Sequence, residues 1–236
     1  AYTMGIEFDR VLDDFNGPFE TIAYGSIQKP VGKINAGTET VGYSFSTKEN
    51  AAYYAINTLL SMGQEIYKNK DKDDIFILSS GHAALALYVC IEKYYNIDAE
   101  MLFSKHGGHP VLEEENKIYC STGSLGLGIA FALGRAIANK NINVYVLISD
   151  GECAEGSVWE SLRLIKELKI QNIKVYCNVN GYCAYDEIDV PYLESRLKSF
   201  LPEINLKHTT VEHYPFLKGL NAHYHIMSEK DYESIK

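Results

Sequence analysis

The chain has 236 residues, 46% hydrophobic and 22% charged, with a formal net charge of −9. That is enough chain and apolar content for one substantial α/β domain with a real core. The acidic balance argues against a nucleic-acid-binding surface; no apolar run is long enough to span a membrane, and no signal peptide or internal repeat is evident, so a cytoplasmic protein is expected.

Residues 1–34 carry scattered aromatics and the prolines Pro18 and Pro30 without a clear period. They read as an arm packed over the domain or onto a partner. Thr47–Tyr67 reads as a helix, with Ala51, Tyr54, Leu59 and Met62 among its apolar positions. The charged run Lys68–Asp74 is expected to be a solvated turn. Ile75–Leu78 is a short buried strand, followed by Ser79-Ser80-Gly81-His82 and a helix rich in Ala and Leu through about Tyr95. A histidine at a helix start is either a cap or surface residue or a functional group, and His82 stays open on this ground alone.

Lys105-His106-Gly107-Gly108-His109-Pro110 places two histidines three apart, but Gly107-Gly108 offers no helical face for a shared metal. Thr122–Ala136 is a glycine-rich turn running into an apolar helix. Its order, Gly123-x-x-Gly126-x-Gly128, is not that of a dinucleotide loop, and no suitable strand immediately precedes it. The five cysteines, Cys90, Cys120, Cys153, Cys177 and Cys183, form no CxxC pair and are odd in number. Buried free thiols are expected rather than disulfides or zinc.

The most informative stretch is Asn143–Tyr182. A β-rich run, Val144–Ile148, ends in Ser149-Asp150-Gly151-Glu152, and a helix starting near Gly156 takes its apolar face from Val158, Leu162, Ile165 and Leu168. A second β-rich run, Ile173–Val179, ends in Asn180-Gly181. Open parallel sheets bind ligands at such carboxyl strand ends. Asp150 offers a charged oxygen, Gly151 lets backbone amides approach an anion, and the helix that follows favours phosphate at its N-terminus. Asn180, thirty positions after Asp150, adds a neutral oxygen. Together they suit Mg²⁺, which takes few protein oxygens and completes its shell with phosphate and water. A helix-capping Asp and an Asn-Gly turn account for the same residues without a ligand. Beyond this stretch, Pro191–Phe200 reads as a helix and Leu206–Tyr214 as a further strand.

The motifs SDGE…NVNG resemble the thiamine-diphosphate motif of the transketolase family, Gly-Asp-Gly followed by Asn roughly thirty residues later. Ser149 stands where that motif has its first glycine. The resemblance implies thiamine diphosphate with Mg²⁺, Ca²⁺ and Mn²⁺ being the alternative ions, and Asp150, Asn180 and the Tyr182 carbonyl as metal ligands. Gly151 and Glu152 fall within the same cofactor-binding motif. Ser-Gly-His at 80–82 is similar to the family's Ser-Asn-Gly-His, which assigns His82 to the cofactor diphosphate. The family's Gly-His-Pro makes His109 a better candidate than His106 for the substrate end of the thiazolium. Gly123, Ser124 and Leu125 inherit the turn that holds the aminopyrimidine side, with Ser124 replacing a proline. Glu155 and Glu160 match acidic positions that link paired cofactor sites in the family, and equally suit a solvated surface. In the ending Asn221-Ala222-His223-Tyr224-His225, His223 is the closest match to a further family histidine and His225 the alternative.

Asn35–Ser46, NAGTETVGYSFS, aligns with another transketolase stretch, but Thr40 falls where the family keeps a sugar-binding histidine. Cys183-Ala184-Tyr185-Asp186 also departs from the family's Ile-Asp-Gly. The expected fold is therefore α/β, a mostly parallel sheet flanked by helices on both faces, with residues 35–236 forming the diphosphate-type domain. The pyrimidine-binding half, which supplies the glutamate that activates the cofactor, is missing from this resemblance. It implies an obligate, separately encoded C-terminal-type partner subunit in an α₂β₂ assembly, acting on small sugar substrates. Transfer of a two-carbon ketol unit to an aldehyde or ketone is the implied reaction, and Thr40 points to a specialised substrate, as in secondary-sugar or natural-product synthesis. The alternatives are an alpha-type subunit of a 2-oxo acid decarboxylase or dehydrogenase, and a non-catalytic structural subunit.

Overall fold

The structure, a computed structural model, describes residues 66–67, 70–183 and 186–209, together with positions 216 and 230. The expectations for residues 1–34, Thr40, most of the Thr47–Tyr67 helix and His223 lie outside the described residues. The chain divides into two units, one containing His82–Gly108 and the other containing Ser61–Gly81 with His109–Thr209.

The second unit is built on four parallel strands, β1 (Ile75–Leu78), β2 (Val144–Ser149), β3 (Ile173–Val179) and β4 (Asn205–His208), in the order β1-β2-β3-β4. In register, Ile75 pairs with Val144, Val144 with Ile173 and Tyr176 with Asn205. Each crossover carries a helix: α3 (Leu127–Ala138), α4 (Gly156–Glu167) and α5 (Val190–Phe200). A strand order that advances in one direction, with the same crossover hand each time, puts the three helices on one face. That face is the core: Ile75, Ile77, Val144, Val146, Ile148, Val175 and Cys177 from the strands meet Ile129, Leu133, Val158, Leu162, Leu193 and Leu197. Each fully buried aliphatic side chain contributes about 1.5–3 kcal/mol relative to exposure. The opposite face, with Phe76, Leu78, Tyr145, Leu147 and Tyr176, is buried too. Burial on both faces explains why VYVLIS is apolar without alternation.

Local chemistry fixes the ends of these elements. Asp189 caps α5 by accepting from the Tyr192 amide, with Pro191 in the first turn where its missing N–H costs nothing. In the first unit, α1 (Ala84–Tyr95) ends on Asn96 in the left-handed conformation, and α2 (Ala99–His106) is capped by Asp98, which accepts from Met101 N at 2.6 Å. The α2 helix was not among the sequence expectations: Asp98 is a legible cap, but eight residues are too few for an apolar period to stand out.

Three expectations are corrected. The run before β1 forms a turn, but its last residue, Asp74, is buried and accepts from the Asn143 amide at 2.6 Å and from its side-chain nitrogen. This carboxylate ties β1 to β2 at the end opposite the candidate site. Leu168 is 54% exposed just past α4, and Ser161 takes a place on the buried face instead. The last strand among the described residues is β4, Asn205–His208, which begins one residue before the expected Leu206 and ends at His208; the expected segment from residue 210 lies outside the described residues.

The cysteines are free, four of them buried and Cys183 partly so. Burial pushes the Cys90 thiol up to about 12 and that of Cys120 up to about 11, so both are inert as nucleophiles. Among the described residues no helix is long and apolar enough to cross a membrane.

Asn172, just before β3, donates from one side-chain nitrogen to the carbonyls of Ala136, Asn139 and Ile142, at 2.9–3.0 Å. It thereby closes the C-terminal end of α3 onto the loop leading to β2. Asn172→Ala is expected to lower unfolding free energy by about 1–3 kcal/mol, because it leaves those carbonyls unpaired. Urea unfolding reads this as a lower midpoint at unchanged slope.

Candidate active site

The carboxyl ends of β1, β2 and β3 bring together three polar segments. After β2, Asp150 is buried, and its carboxylate is held by backbone alone. Oδ1 accepts from Gly151 N at 2.9 Å, while Oδ2 accepts from Asn180 N at 2.8 Å and Gly181 N at 2.7 Å. After β3, the Asn180 side-chain oxygen accepts from Tyr182 N at 2.8 Å. Gly181 turns the chain at a positive φ of 86°, and its carbonyl accepts from Ile188 N. A Cβ at Gly151 would lie 3.6 Å from the Tyr182 carbonyl oxygen. So Asp150 and the Tyr182 carbonyl flank one small residue, and Asn180 is bonded to both of their segments.

The helix that follows begins at Gly156, where the sequence places it. A 3-10 turn, Gly151–Ala154, intervenes before α4, and Asp150 caps it. Trp159, the one tryptophan in the sequence, donates from Nε1 to the Cys153 carbonyl at 2.8 Å and fastens this turn to α4.

Burial is the largest influence on Asp150 and pushes its carboxyl up to about 6, against the opposing pull of the Gly181, Asn180 and Gly151 amides. Between the ordinary carboxylate value and about 6, the folded chain holds a proton that the unfolded chain has released. This group therefore stabilises the cofactor-free fold at low pH, and that contribution is lost as pH rises through about 6. The span corresponds to about 3 kcal/mol at most. The melting temperature of the cofactor-free chain, relative to that of Asp150→Asn, is expected to fall between pH 4 and pH 7. A difference that stays flat with pH would refute the raised value.

The glycine turn is built from close approaches. A Cβ at Gly81 would meet the Thr122 carbonyl carbon and oxygen at 2.5 Å and Gly123 N at 2.6 Å. Gly123 has φ +150°, and a Cβ there would meet the His109 ring at 2.8 Å. His109 therefore lies against the turn that contains Gly123, Ser124 and Leu125. The first two of these are exposed and Leu125 is half-buried. Thr122 Oγ1 is buried and, among the described residues, has no hydrogen-bond partner. His82 sits in the 3-10 turn Gly81–Ala83 and belongs to the unit of His82–Gly108. Glu155 and Glu160 are exposed.

Glu152 is fully buried. Its Oε1 accepts from Ser79 Oγ at 2.6 Å and Gly126 N at 2.9 Å, and its Oε2 from Ser80 Oγ at 2.8 Å and Ser149 N at 3.0 Å. Ser79, Ser80, Thr122 and Gly126 join the site without having been singled out individually in the sequence. The partner of Ser79 lies 73 residues away along the chain, which no local pattern encodes.

The residues present fit a diphosphate with a hard cation. Asp150 Oδ1 and Asn180 Oδ1 each accept one hydrogen bond and keep lone-pair capacity. Hard oxygens from Asp150, Asn180 and the Tyr182 carbonyl suit Mg²⁺. A buried carboxylate held by amides alone gains from a cation beside it, and the buried Thr122 hydroxyl has no hydrogen-bond partner among the described residues. Among the described residues no three His, Cys, Asp or Glu side chains cluster as a metal site.

A parallel sheet carrying these groups at its carboxyl edge defines an α/β domain of the class that binds ligands beyond its strand ends. Residues 42–202, more than half of the chain, match the family described as "Transketolase, thiamine diphosphate binding domain", and the chain belongs to that family. A relative from Actinobacillus succinogenes, named as one subunit of an apulose-4-phosphate transketolase, is 30% identical over 171 residues, covering 66% of this chain and 60% of the relative. Human transketolase is 37% identical over 129 residues, covering 48% of this chain and 20% of the relative. The chain thus spans less than two thirds of either relative. The fold is similar to that of transketolase from Leishmania mexicana, with a TM-score of 0.54, 18% identity, and coverage of 82% of this chain and 36% of that one.

Proposed function

We propose that this chain is the diphosphate-binding subunit of a two-chain, Mg²⁺- and thiamine-diphosphate-dependent transketolase-like enzyme. Its reaction transfers a two-carbon ketol unit from a ketose-type donor to an aldehyde or ketone. The observation that carries this reading is the Asp150 carboxylate, buried and clamped to the Asn180–Gly181 amides beside the Tyr182 carbonyl. Family membership supports the cofactor, and the bacterial relative, named as one subunit of a transketolase, supports a separately encoded partner.

When bound, the cofactor supplies the carbon nucleophile that carries the two-carbon unit. The chain's own residues bind and orient it. Asp150, Asn180 and the Tyr182 carbonyl hold the cation, and the absent side chain at Gly151 leaves room for diphosphate oxygens. The backbone of Gly123, Ser124 and Leu125 bears on the aminopyrimidine side, where Thr122 Oγ1 has a hydrogen bond to give. His82 serves the diphosphate, while His109, packed against Gly123, and His223 serve proton transfer and donor hydroxyls at the substrate end. Glu152 belongs to the cofactor site as the group that joins its walls.

The test is calorimetry with thiamine diphosphate and Mg²⁺ on the chain alone, then on its complex with a pyrimidine-type transketolase subunit from the same source. Tight, Mg²⁺-dependent binding and turnover of a ketose phosphate are expected in the complex, with turnover at least about a thousandfold lower for the chain alone. Absence of binding in both states would defeat the reading.

A further inference from the structure

We propose that Glu152 is a positioning residue, a buried clasp that sets the glycine turn at 122–126 against the strand ends and so pre-forms the cofactor site. The proposal rests on the cofactor reading above and assigns Glu152 no direct contact with ligand.

Both oxygens of Glu152 are taken by donors from three separate segments: Ser79 and Ser80 after β1, Ser149 at the end of β2, and Gly126 at the start of α3. A buried carboxylate is tolerated only when such donors surround it, and a fully satisfied buried network admits one arrangement of its parts. Gly126 is gripped on its other side as well, since its carbonyl accepts from Ser157 Oγ at 2.9 Å. Its φ of +77° and the contacts a Cβ would make, 2.6 Å to Ser157 Oγ and 2.7 Å to Glu155 Cβ, leave it no freedom to slide. Two residues on, a Cβ at Gly128 would strike Ser79 at 2.5 Å, so α3 starts hard against the residue Glu152 holds. The carboxylate also stands in the 3-10 turn capped by Asp150. One side chain thus links the Asp150 turn, which would hold the cation, to the glycine turn, which would hold the other end of the cofactor.

The experiment compares the full chain, Glu152→Gln, the milder Ser80→Ala and, as a control for general destabilisation, Asn172→Ala. Amide hydrogen exchange is followed at Gly126 and its neighbours, and thiamine diphosphate affinity with Mg²⁺ is measured in the complex with the partner subunit. In Glu152→Gln the Gly126 amide is expected to exchange about tenfold faster or more, and half-saturating cofactor to rise about tenfold, with turnover at saturating cofactor within about threefold of wild type. Ser80→Ala should move both readouts in the same direction by less, and it decides the matter should Glu152→Gln not fold. Asn172→Ala should leave cofactor affinity unchanged. The clasp is refuted by exchange at Gly126 no faster than in Asn172→Ala, or by fast exchange with undiminished affinity. If the wild-type complex takes up no thiamine diphosphate, the cofactor reading fails, while the exchange arm still decides whether Glu152 fixes the turn.

Discussion

Asp150→Ala is expected to weaken Mg²⁺-dependent thiamine diphosphate binding by about 100-fold or more, which is about 2.7 kcal/mol, and to abolish turnover of the reconstituted enzyme. The cofactor-free fold should change far less, because two effects oppose each other. The substitution leaves the amides of Gly151, Asn180 and Gly181 without their acceptor, at about 1–3 kcal/mol for each one that water cannot reach. It also removes a carboxylate whose charged form burial disfavours, as its value of about 6 records. Strand ends admit water more readily than the sheet interior, so the first cost is reduced and the balance is small. Binding has no such compensation, since the charged oxygen beside Asn180 and the Tyr182 carbonyl is gone. Asp150→Asn separates charge from shape: it keeps the volume, puts an amide where the clamp needs an acceptor, and should bind as poorly. Calorimetry together with thermal melting reads both halves. Affinity within about threefold of wild type for Asp150→Ala would remove Asp150 from the cation site.

Much of the sheet was legible in the sequence for a physical reason. Strands buried on both faces must be apolar throughout, so Ile75–Leu78, Val144–Ile148 and Ile173–Val179 stand out as uninterrupted runs. The Asp150–Asn180 pairing was legible because a single strand–helix–strand unit separates them, and parallel register brings the ends of neighbouring strands level. What stayed hidden depends on distant segments. Nothing near Glu152 in sequence announces that Ser79, Ser80 and Gly126 converge on it. Asp74 sits in a run of charges that a local reading assigns to solvent, yet its carboxylate closes β1 onto β2 because Asn143 supplies two donors. Leu168 fits the apolar period of α4 but falls past its last turn, where there is no core left to meet. The glycine motif was visible as composition, but the sequence could not say which glycine is sterically obliged.

That obligation gives the second large effect, at Gly81. In an ordinary helical or turn position, alanine replacing glycine stabilises by reducing the freedom of the unfolded chain. Gly134 is such a position: it lies on α3, exposed, with nothing within 4 Å of an added Cβ. Gly134→Ala should raise stability by up to about 1 kcal/mol. Gly81→Ala should do the reverse. Its methyl would stand 2.5 Å from the Thr122 carbonyl and 2.6 Å from Gly123 N, and these are backbone atoms that cannot swing aside as the end of a long side chain can. Relief requires either the segment after β1 or the glycine turn to move. The turn is tied through Gly126 to Glu152 and Ser157, so displacement strains the network that organises the site. A cost of about 1–3 kcal/mol is expected, outweighing the entropic gain, with a melting temperature lower by about 2–4 °C for each kcal/mol. Thiamine diphosphate affinity should fall by about tenfold or more, because the turn expected to meet the aminopyrimidine is the part that yields. Equal stability and affinity in Gly81→Ala and wild type would mean that the two segments separate freely, and the case for a pre-formed site would fall with them.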